Sequence, residues 1–93
     1  MISEKQIENI KQITKKYNPK MVGIFGSYAR NESNSNSDLD ILIDFNTRVN
    51  LIEIIGLEQE LSNILGIKVD LVTKQSVHKK LQKFIDRDLI QLI

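Results

Sequence analysis

The chain has 93 residues, of which 41% are hydrophobic and 27% are charged, and its formal net charge is +1. This balance is ordinary for a small globular domain and excludes a disordered tail or a collagen-like repeat. The absence of cysteine excludes a disulfide framework and a thiolate metal site. We therefore expect a single domain over residues 1–93, a cytoplasmic location and no membrane-spanning segment.

The charges are distributed unevenly along the chain. Residues 31–60 hold one Lys or Arg against seven Asp or Glu, whereas residues 1–30 hold six against two and residues 61–93 hold six against three. A general nucleic-acid-binding protein needs one broad positive face, so we expect no direct nucleic-acid binding. An acidic centre is more consistent with a bound positive group such as a metal ion.

Apolar periodicity and chain-breaking residues divide the chain into alternating helices and strands. We predict three long helices, over residues 3–18, 50–65 and 76–92, and three strands, over residues 21–25, 39–45 and 68–72. One helical turn, residues 28–30, and a polar loop, residues 31–37, lie between the first two strands. Ser3 with Gln6, and Asn50 with Glu53, predict capping boxes, and Ser76 is the expected cap of the last helix. This order predicts a small α/β (α+β) fold in which helices pack on a three-stranded sheet.

Two aspartates open the second predicted strand. Side chains alternate along a strand, so Asp38 and Asp40 share one face, about 6.6 Å apart, while Leu39 belongs to the core. Two carboxylates at the start of a buried strand repel each other and lose hydration, and a divalent cation would relieve both costs. Asp70 has the matching parity on the third strand, so if the two strands are neighbours, three carboxylates can converge and hold two Mg²⁺ ions. Asp44 shares this parity but lies at the far end of its strand, and we place it outside the site.

The junction after the first strand has the residues of an anion-binding turn. Gly26 lets a phosphate approach the backbone N–H groups, and the Ser27 hydroxyl can add a hydrogen bond. Arg30 follows three residues later, on the same side of a helical turn, and can reach a phosphate oxygen. Each feature alone is common in turns and strand ends, so it is their order along the chain that predicts a phosphate and metal site.

The segment GSYARNESNSNSDLDILIDF, from Gly26 to Phe45, resembles the signature of the DNA polymerase beta-like nucleotidyltransferase superfamily. That signature is a Gly-Ser, a nearby arginine, a polar loop and an Asp-x-Asp that opens an apolar strand, and Asp70 supplies the expected third carboxylate. At this length the whole chain resembles the minimal nucleotidyltransferases, which are the MNT (MntA-like) antitoxins of HEPN/MNT toxin–antitoxin pairs. Asn31 departs from the family's usual glycine, but asparagine tolerates left-handed backbone angles.

The resemblance implies a polymerase beta palm-like mixed sheet and transfer of AMP from ATP to a tyrosine of a partner HEPN ribonuclease toxin, in a hetero-oligomer. The site residues that it implies are Asp38, Asp40 and Asp70 for catalysis and for two Mg²⁺ ions, and Gly26, Ser27 and Arg30 for the triphosphate. Asp70 is also the residue that can deprotonate the attacking hydroxyl.

Two alternative functions stay open. The chain can be a non-catalytic antitoxin that neutralises its partner by forming a complex, or a small-molecule (aminoglycoside-type) nucleotidyltransferase, although such enzymes usually carry an added acceptor domain. Two surfaces are open as well. Lys79, Lys80 and Lys83 form a basic strip that is either solvated or a docking face, and the apolar segment 89–93 either packs on the core or forms an interface.

Overall fold

A computed structural model of the chain describes residues 2–93 as three helices and a four-stranded mixed sheet. The helices are α1 (Glu4–Thr14), α2 (Leu51–Leu65) and α3 (Lys79–Asp88), and the strands are β1 (Met21–Phe25), β2 (Leu39–Asp44), β3 (Val69–Thr73) and β4 (Ile90–Gln91). The predicted fold class is therefore confirmed, with one strand more than expected. None of these helices has the length and apolarity that crossing a bilayer requires.

The sheet has the strand order β3-β2-β1-β4. Strand β1 runs antiparallel to β2 and to β4, whereas β2 and β3 are parallel. The carboxyl end of β1 and the amino ends of β2 and β3 consequently meet at one edge of the sheet. In this register Asp40 lies opposite Asp70 on one side and opposite Phe25 on the other.

The two faces of the sheet bury different amounts of apolar surface. The main core lies between the sheet and helices α1 and α2, and Ile10, Ile41 and Leu61 are fully buried in it. A smaller cluster, centred on Leu42 and Ile85, lies on the opposite face, where α3 packs. Because Asp40 shares the parity of Leu42, its carboxylate also lies on the α3 face.

Side-chain caps fix the starts of the first two long helices. Ser3 Oγ accepts from the Gln6 N–H at 3.1 Å, and Gln6 Oε1 accepts from the Ser3 N–H at 2.8 Å. Asn50 and Glu53 form the same reciprocal pair at α2. Both predicted capping boxes are confirmed, and each satisfies backbone donors that a helix terminus leaves free.

The predicted cap of the last helix is wrong. His78 occupies the N-cap position of α3 without a capping hydrogen bond from its side chain, whereas Ser76 belongs to the short 3-10 turn Lys74–Ser76. The Ser76 hydroxyl donates to the Thr73 carbonyl at 3.0 Å, so this local backbone contact competes with capping.

The last helix is shorter than predicted, because the chain after Asp88 forms strand β4 beside β1. Gly23 permits this pairing: a Cβ there would lie 2.7 Å from Leu89 Cδ1 and 2.9 Å from the Ile90 carbonyl oxygen. Leu89 packs against the smaller cluster, while Ile90 and Ile93 are exposed. The apolar end of the chain is thus partly core and partly free surface.

Candidate active site

Two carboxylates lie side by side at the edge where β1 ends. Asp40 and Asp70 are register partners on the parallel strands β2 and β3, whose spacing is about 4.8 Å. Asp40 is half-buried, whereas Asp70, on the outermost strand, is exposed. The strand parity that predicted this pair from the sequence is confirmed by the register.

Asp38 lies near this pair but makes a different contact. It immediately precedes β2, and its Oδ2 lies 3.8 Å from Lys68 Nζ. Within residues 2–93, no three His, Asp or Glu side chains are already arranged as a metal-binding group. Three carboxylates repel one another, so Asp38 pairs with the neighbouring cation instead. The metal roles of Asp38, Asp40 and Asp70 stay a prediction.

The electrostatics of Asp40 favour a compensating positive charge. The pKa of Asp40 is raised from 3.8 to about 6, chiefly by burial and then by the charges of Asp70 and Asp38. The nearby positive charge of Arg30 opposes this rise in pKa without cancelling it. A hard divalent cation has the charge and the oxygen preference that this set of carboxylates lacks, so the residues present fit Mg²⁺.

The Gly-Ser turn lies directly against Asp40. Gly26 has a positive φ of 76°, and a Cβ at this position would overlap Asp40 Oδ2 and lie 3.3 Å from Asp40 Cγ. The Gly26 carbonyl accepts from the Arg30 N–H at 3.1 Å, and the Ser27 carbonyl accepts from the Glu32 N–H at 2.8 Å. An anion at this turn would therefore meet a carboxylate, and the two can share the space only with a cation between them.

The backbone N–H groups of the turn are available to such an anion. Among the hydrogen bonds that the described residues make here, the carbonyls close the turn, and none engages the N–H of Ser27 or Tyr28. Asn31, which follows Arg30, has a left-handed φ of 60°. The expectation that asparagine replaces the usual glycine without strain is thus consistent with the observed conformation.

Arg30 is held by two carboxylates. Its Nε donates to Glu32 Oε2 at 3.1 Å, and its Nη1 donates to Asp88 Oδ2 at 2.6 Å. Asp88 was not among the residues predicted from the sequence. Arg30 and Asp88 are separated by 58 positions, too far apart for helix or strand periodicity to reveal the contact.

The far end of β2 forms a separate surface. Asp44 lies 3.9 Å from Lys74 Nζ and accepts from Gln75 Nε2 at 3.3 Å, so its charge is compensated locally. A cleft of about 440 Å³ lies beside it, lined in part by Arg48 and Val49. The exclusion of Asp44 from the predicted site agrees with this placement.

Comparison with known proteins gives a consistent result. Residues 6–93 match the model of a family described as the nucleotidyltransferase domain. The chain is 49% identical over 83 residues to a protein of Methanocaldococcus jannaschii named as a candidate protein adenylyltransferase, an alignment that covers 88% of this chain and 85% of that protein. It is 36% identical over 95 aligned positions to protein adenylyltransferase MntA of Thermococcus cleftensis, covering 97% and 96% of the two chains.

A solved structure agrees with these relatives. A crystal structure of a toxin–antitoxin with AMP-PNP has a chain that superposes on this one with a TM-score of 0.83 at 28% sequence identity. The match covers 94% of this chain and 72% of that one. The similarity therefore extends over nearly the whole fold described above.

Proposed function

The chain belongs to the nucleotidyltransferase domain family, and from this premise we propose that it transfers AMP from MgATP to a tyrosine hydroxyl of a partner HEPN ribonuclease toxin and so neutralises the toxin. The observation that carries the proposal is the contact between the Gly26 turn and Asp40, with Asp70 in register beside it. This contact sets an anion-binding turn against paired carboxylates, as transfer from a metal-bound nucleotide requires.

The comparisons support the chemical class of this proposal. The relatives at 49% and 36% identity are named for protein adenylylation, and they align with this chain over most of their length. The solved structure at 28% identity is a toxin–antitoxin with a nucleotide analogue. These names favour AMP as the transferred group and a toxin protein as its acceptor. The tyrosine and the HEPN identity of the toxin rest on the family resemblance.

We assign the substrate contacts by position. The N–H groups and hydroxyl of Gly26-Ser27 would bind the triphosphate, with Arg30 at its side. Asp38, Asp40 and Asp70 would hold two Mg²⁺ ions, which supply positive charge to the triphosphate and lower the pKa of the attacking hydroxyl. The half-buried position of Asp40, against the turn, suits it to the nucleotide side of the site.

The transfer itself is an in-line displacement at the α-phosphorus of ATP. A bond forms between the tyrosine oxygen and this phosphorus, and the bond to the leaving pyrophosphate breaks. Asp70 is exposed on the outermost strand, where a hydroxyl of another protein can reach it, and its carboxylate takes up the hydroxyl proton. The protein contributes position and charge, as in other phosphoryl-type transfers.

A non-catalytic antitoxin is the second candidate, because apolar side chains are exposed on the surface. Leu51 and Ile52 at the start of α2 are 71% and 82% exposed, and Phe84 on α3 is exposed as well. Such residues suit contact with another protein. Complex formation and AMP transfer are compatible. The two candidates therefore differ in whether binding or AMP transfer neutralises the toxin.

The proposal is tested by mixing the purified chain with the proposed partner, a HEPN toxin, in the presence of ATP and Mg²⁺, and by measuring pyrophosphate release. We expect one pyrophosphate for each AMP found on the toxin, and neither product with the Asp40→Asn variant. A toxin whose acceptor tyrosine is replaced by phenylalanine is the matched control. Pyrophosphate release without any AMP on the toxin would contradict the proposal and indicate a different acceptor, either a small molecule or water.

A further inference from the structure

The last turn of α3 reaches the candidate active site through one carboxylate. Asp88 Oδ2 accepts from Arg30 Nη1 at 2.6 Å, and Asp88 Oδ1 accepts from Arg87 Nε at 3.0 Å. Only 4% of the Asp88 side chain is exposed, whereas 66% of the side chain of Glu32, the other partner of Arg30, is exposed. Exposed ion pairs constrain a side chain weakly, so Asp88 is the contact that fixes Arg30.

The two contacts leave part of the Arg30 guanidinium available. They use Nε and Nη1, and no hydrogen bond found within residues 2–93 uses Nη2. A guanidinium is planar and carries five N–H donors, so fixing two of its nitrogens sets the direction of the third. Asp88 belongs to α3, which packs on the face of the sheet that carries the Asp40 carboxylate. The guanidinium is therefore held on the side of the sheet where the carboxylates lie.

We propose that Asp88 is a positioning residue, which holds the Arg30 guanidinium so that its remaining N–H groups face the triphosphate of ATP. The inference rests on the proposed function, because it requires a nucleotide at the Gly26-Ser27 turn. Arginine loses considerable rotamer freedom when it is fixed. With Asp88 in place this loss occurs on folding, and nucleotide binding does not have to supply it.

The test is a double-mutant cycle on nucleotide affinity. The dissociation constant of AMP-PNP with Mg²⁺ is measured by calorimetry for the wild type, Asp88→Asn, Arg30→Gln and the double variant. We expect each single substitution to weaken binding by about 10-fold, a typical cost for a charge-assisted contact. We expect the double variant to bind no more weakly than Arg30→Gln, because the two residues act through one contact.

Two further variants separate positioning from a structural role. Asp86→Asn removes another carboxylate from α3, one that accepts from Gln82 at 2.7 Å and does not contact Arg30, and it should bind like the wild type. Asp88→Glu keeps the charge but displaces the guanidinium, so it should weaken binding in the wild-type background and not in the Arg30→Gln background. If Asp88→Asn does not fold, the comparison of Asp88→Glu in the two backgrounds tests the positioning role in its place.

The outcomes distinguish the inference from the function on which it rests. Wild-type affinity in a folded Asp88→Asn variant, or effects that multiply in the double variant, would overturn the role of Asp88 alone. A wild-type chain that does not bind AMP-PNP with Mg²⁺ at millimolar concentration would overturn the proposed function itself. Non-additive weakening, together with an unchanged Asp86→Asn variant, would establish the positioning role.

Discussion

Replacing Asp40 by asparagine should stabilise the chain in the absence of divalent cations and, at the same time, abolish transfer. The structure raises the pKa of this carboxyl from 3.8 to about 6, so its charged form is disfavoured in the folded state. The corresponding free energy is about 3 kcal/mol, from roughly 1.4 kcal/mol for each pH unit. Asp40 is only half-buried, and solvent screening reduces this figure to about 1–2 kcal/mol.

The sign of the pH dependence follows from the raised pKa. Below about pH 4 the carboxyl is protonated in both the folded and the unfolded state, so it contributes no penalty there. As the pH rises from about 4 to about 6, the unfolded chain ionises before the folded chain does, and the stability of the wild type falls. The stabilisation by Asp40→Asn should therefore be small at pH 4 and reach its full value above pH 6.

The assay is thermal unfolding followed by circular dichroism, in EDTA, at pH 4 and pH 7.5. For a domain of this size each kcal/mol shifts the melting temperature by about 4–8 °C. Asp86→Asn, which removes an exposed carboxylate of α3, is the matched control and should melt like the wild type. Addition of Mg²⁺ should stabilise the wild type more than Asp40→Asn, and transfer by the variant should fall by at least about 100-fold.

Two results would refute this reasoning. A melting temperature of Asp40→Asn below that of the wild type at pH 7.5 would mean that the carboxylate stabilises the fold. A stabilisation of equal size at pH 4 and pH 7.5 would mean that the charge of Asp40 is not its cause.

Three further substitutions test the turn, the edge of the sheet and its fourth strand, and a fourth, Gly56→Ala, is the control for the turn. Gly26→Val would force a side chain onto Asp40 at a positive φ. It should weaken AMP-PNP binding by at least about 10-fold and lower the free energy of unfolding by about 1–3 kcal/mol. Gly56→Ala, at a position where a Cβ meets nothing within 4 Å, should instead stabilise α2 by about 0.5–1 kcal/mol. Unchanged affinity in Gly26→Val would refute the phosphate assignment. Glu58→Ala removes the carboxylate that accepts from the Leu71 N–H at 2.8 Å. It should lower the free energy of unfolding, measured by urea denaturation, by about 1–3 kcal/mol. An unchanged free energy of unfolding would show that water replaces the contact. Gly23→Val should displace β4 and cost about 1–3 kcal/mol, which hydrogen exchange of the β1 and β4 amides would detect as lost protection.

Local sequence signals predicted most of the fold. Both capping boxes, the three main strands and the parity of Asp40 and Asp70 depend on residues close together in the chain, where helix and strand periods apply. The third carboxylate could be proposed because strand parity restricts each residue to one of two faces. The sequence was therefore sufficient for the elements and for the faces of the sheet.

Contacts between distant segments could not be predicted in this way. The last helix ends early because Gly23 gives room for β4, and this depends on which strand lies beside the chain end. The contact of Asp88 with Arg30 could not be predicted either, because it arises from the packing of α3 on the sheet. The pairing of Asp38 with Lys68 follows from the parallel register of β2 and β3, which the sequence did not specify.

The intact mass of the toxin proposed as the partner tests AMP transfer most directly. It is measured after co-expression with the wild type and, separately, with the Asp40→Asn variant. We expect additions of the mass of AMP with the wild type and none with the variant, and fragmentation should place these additions on tyrosine. An unmodified toxin that is nevertheless neutralised by both chains would contradict transfer as the mechanism and establish neutralisation by binding.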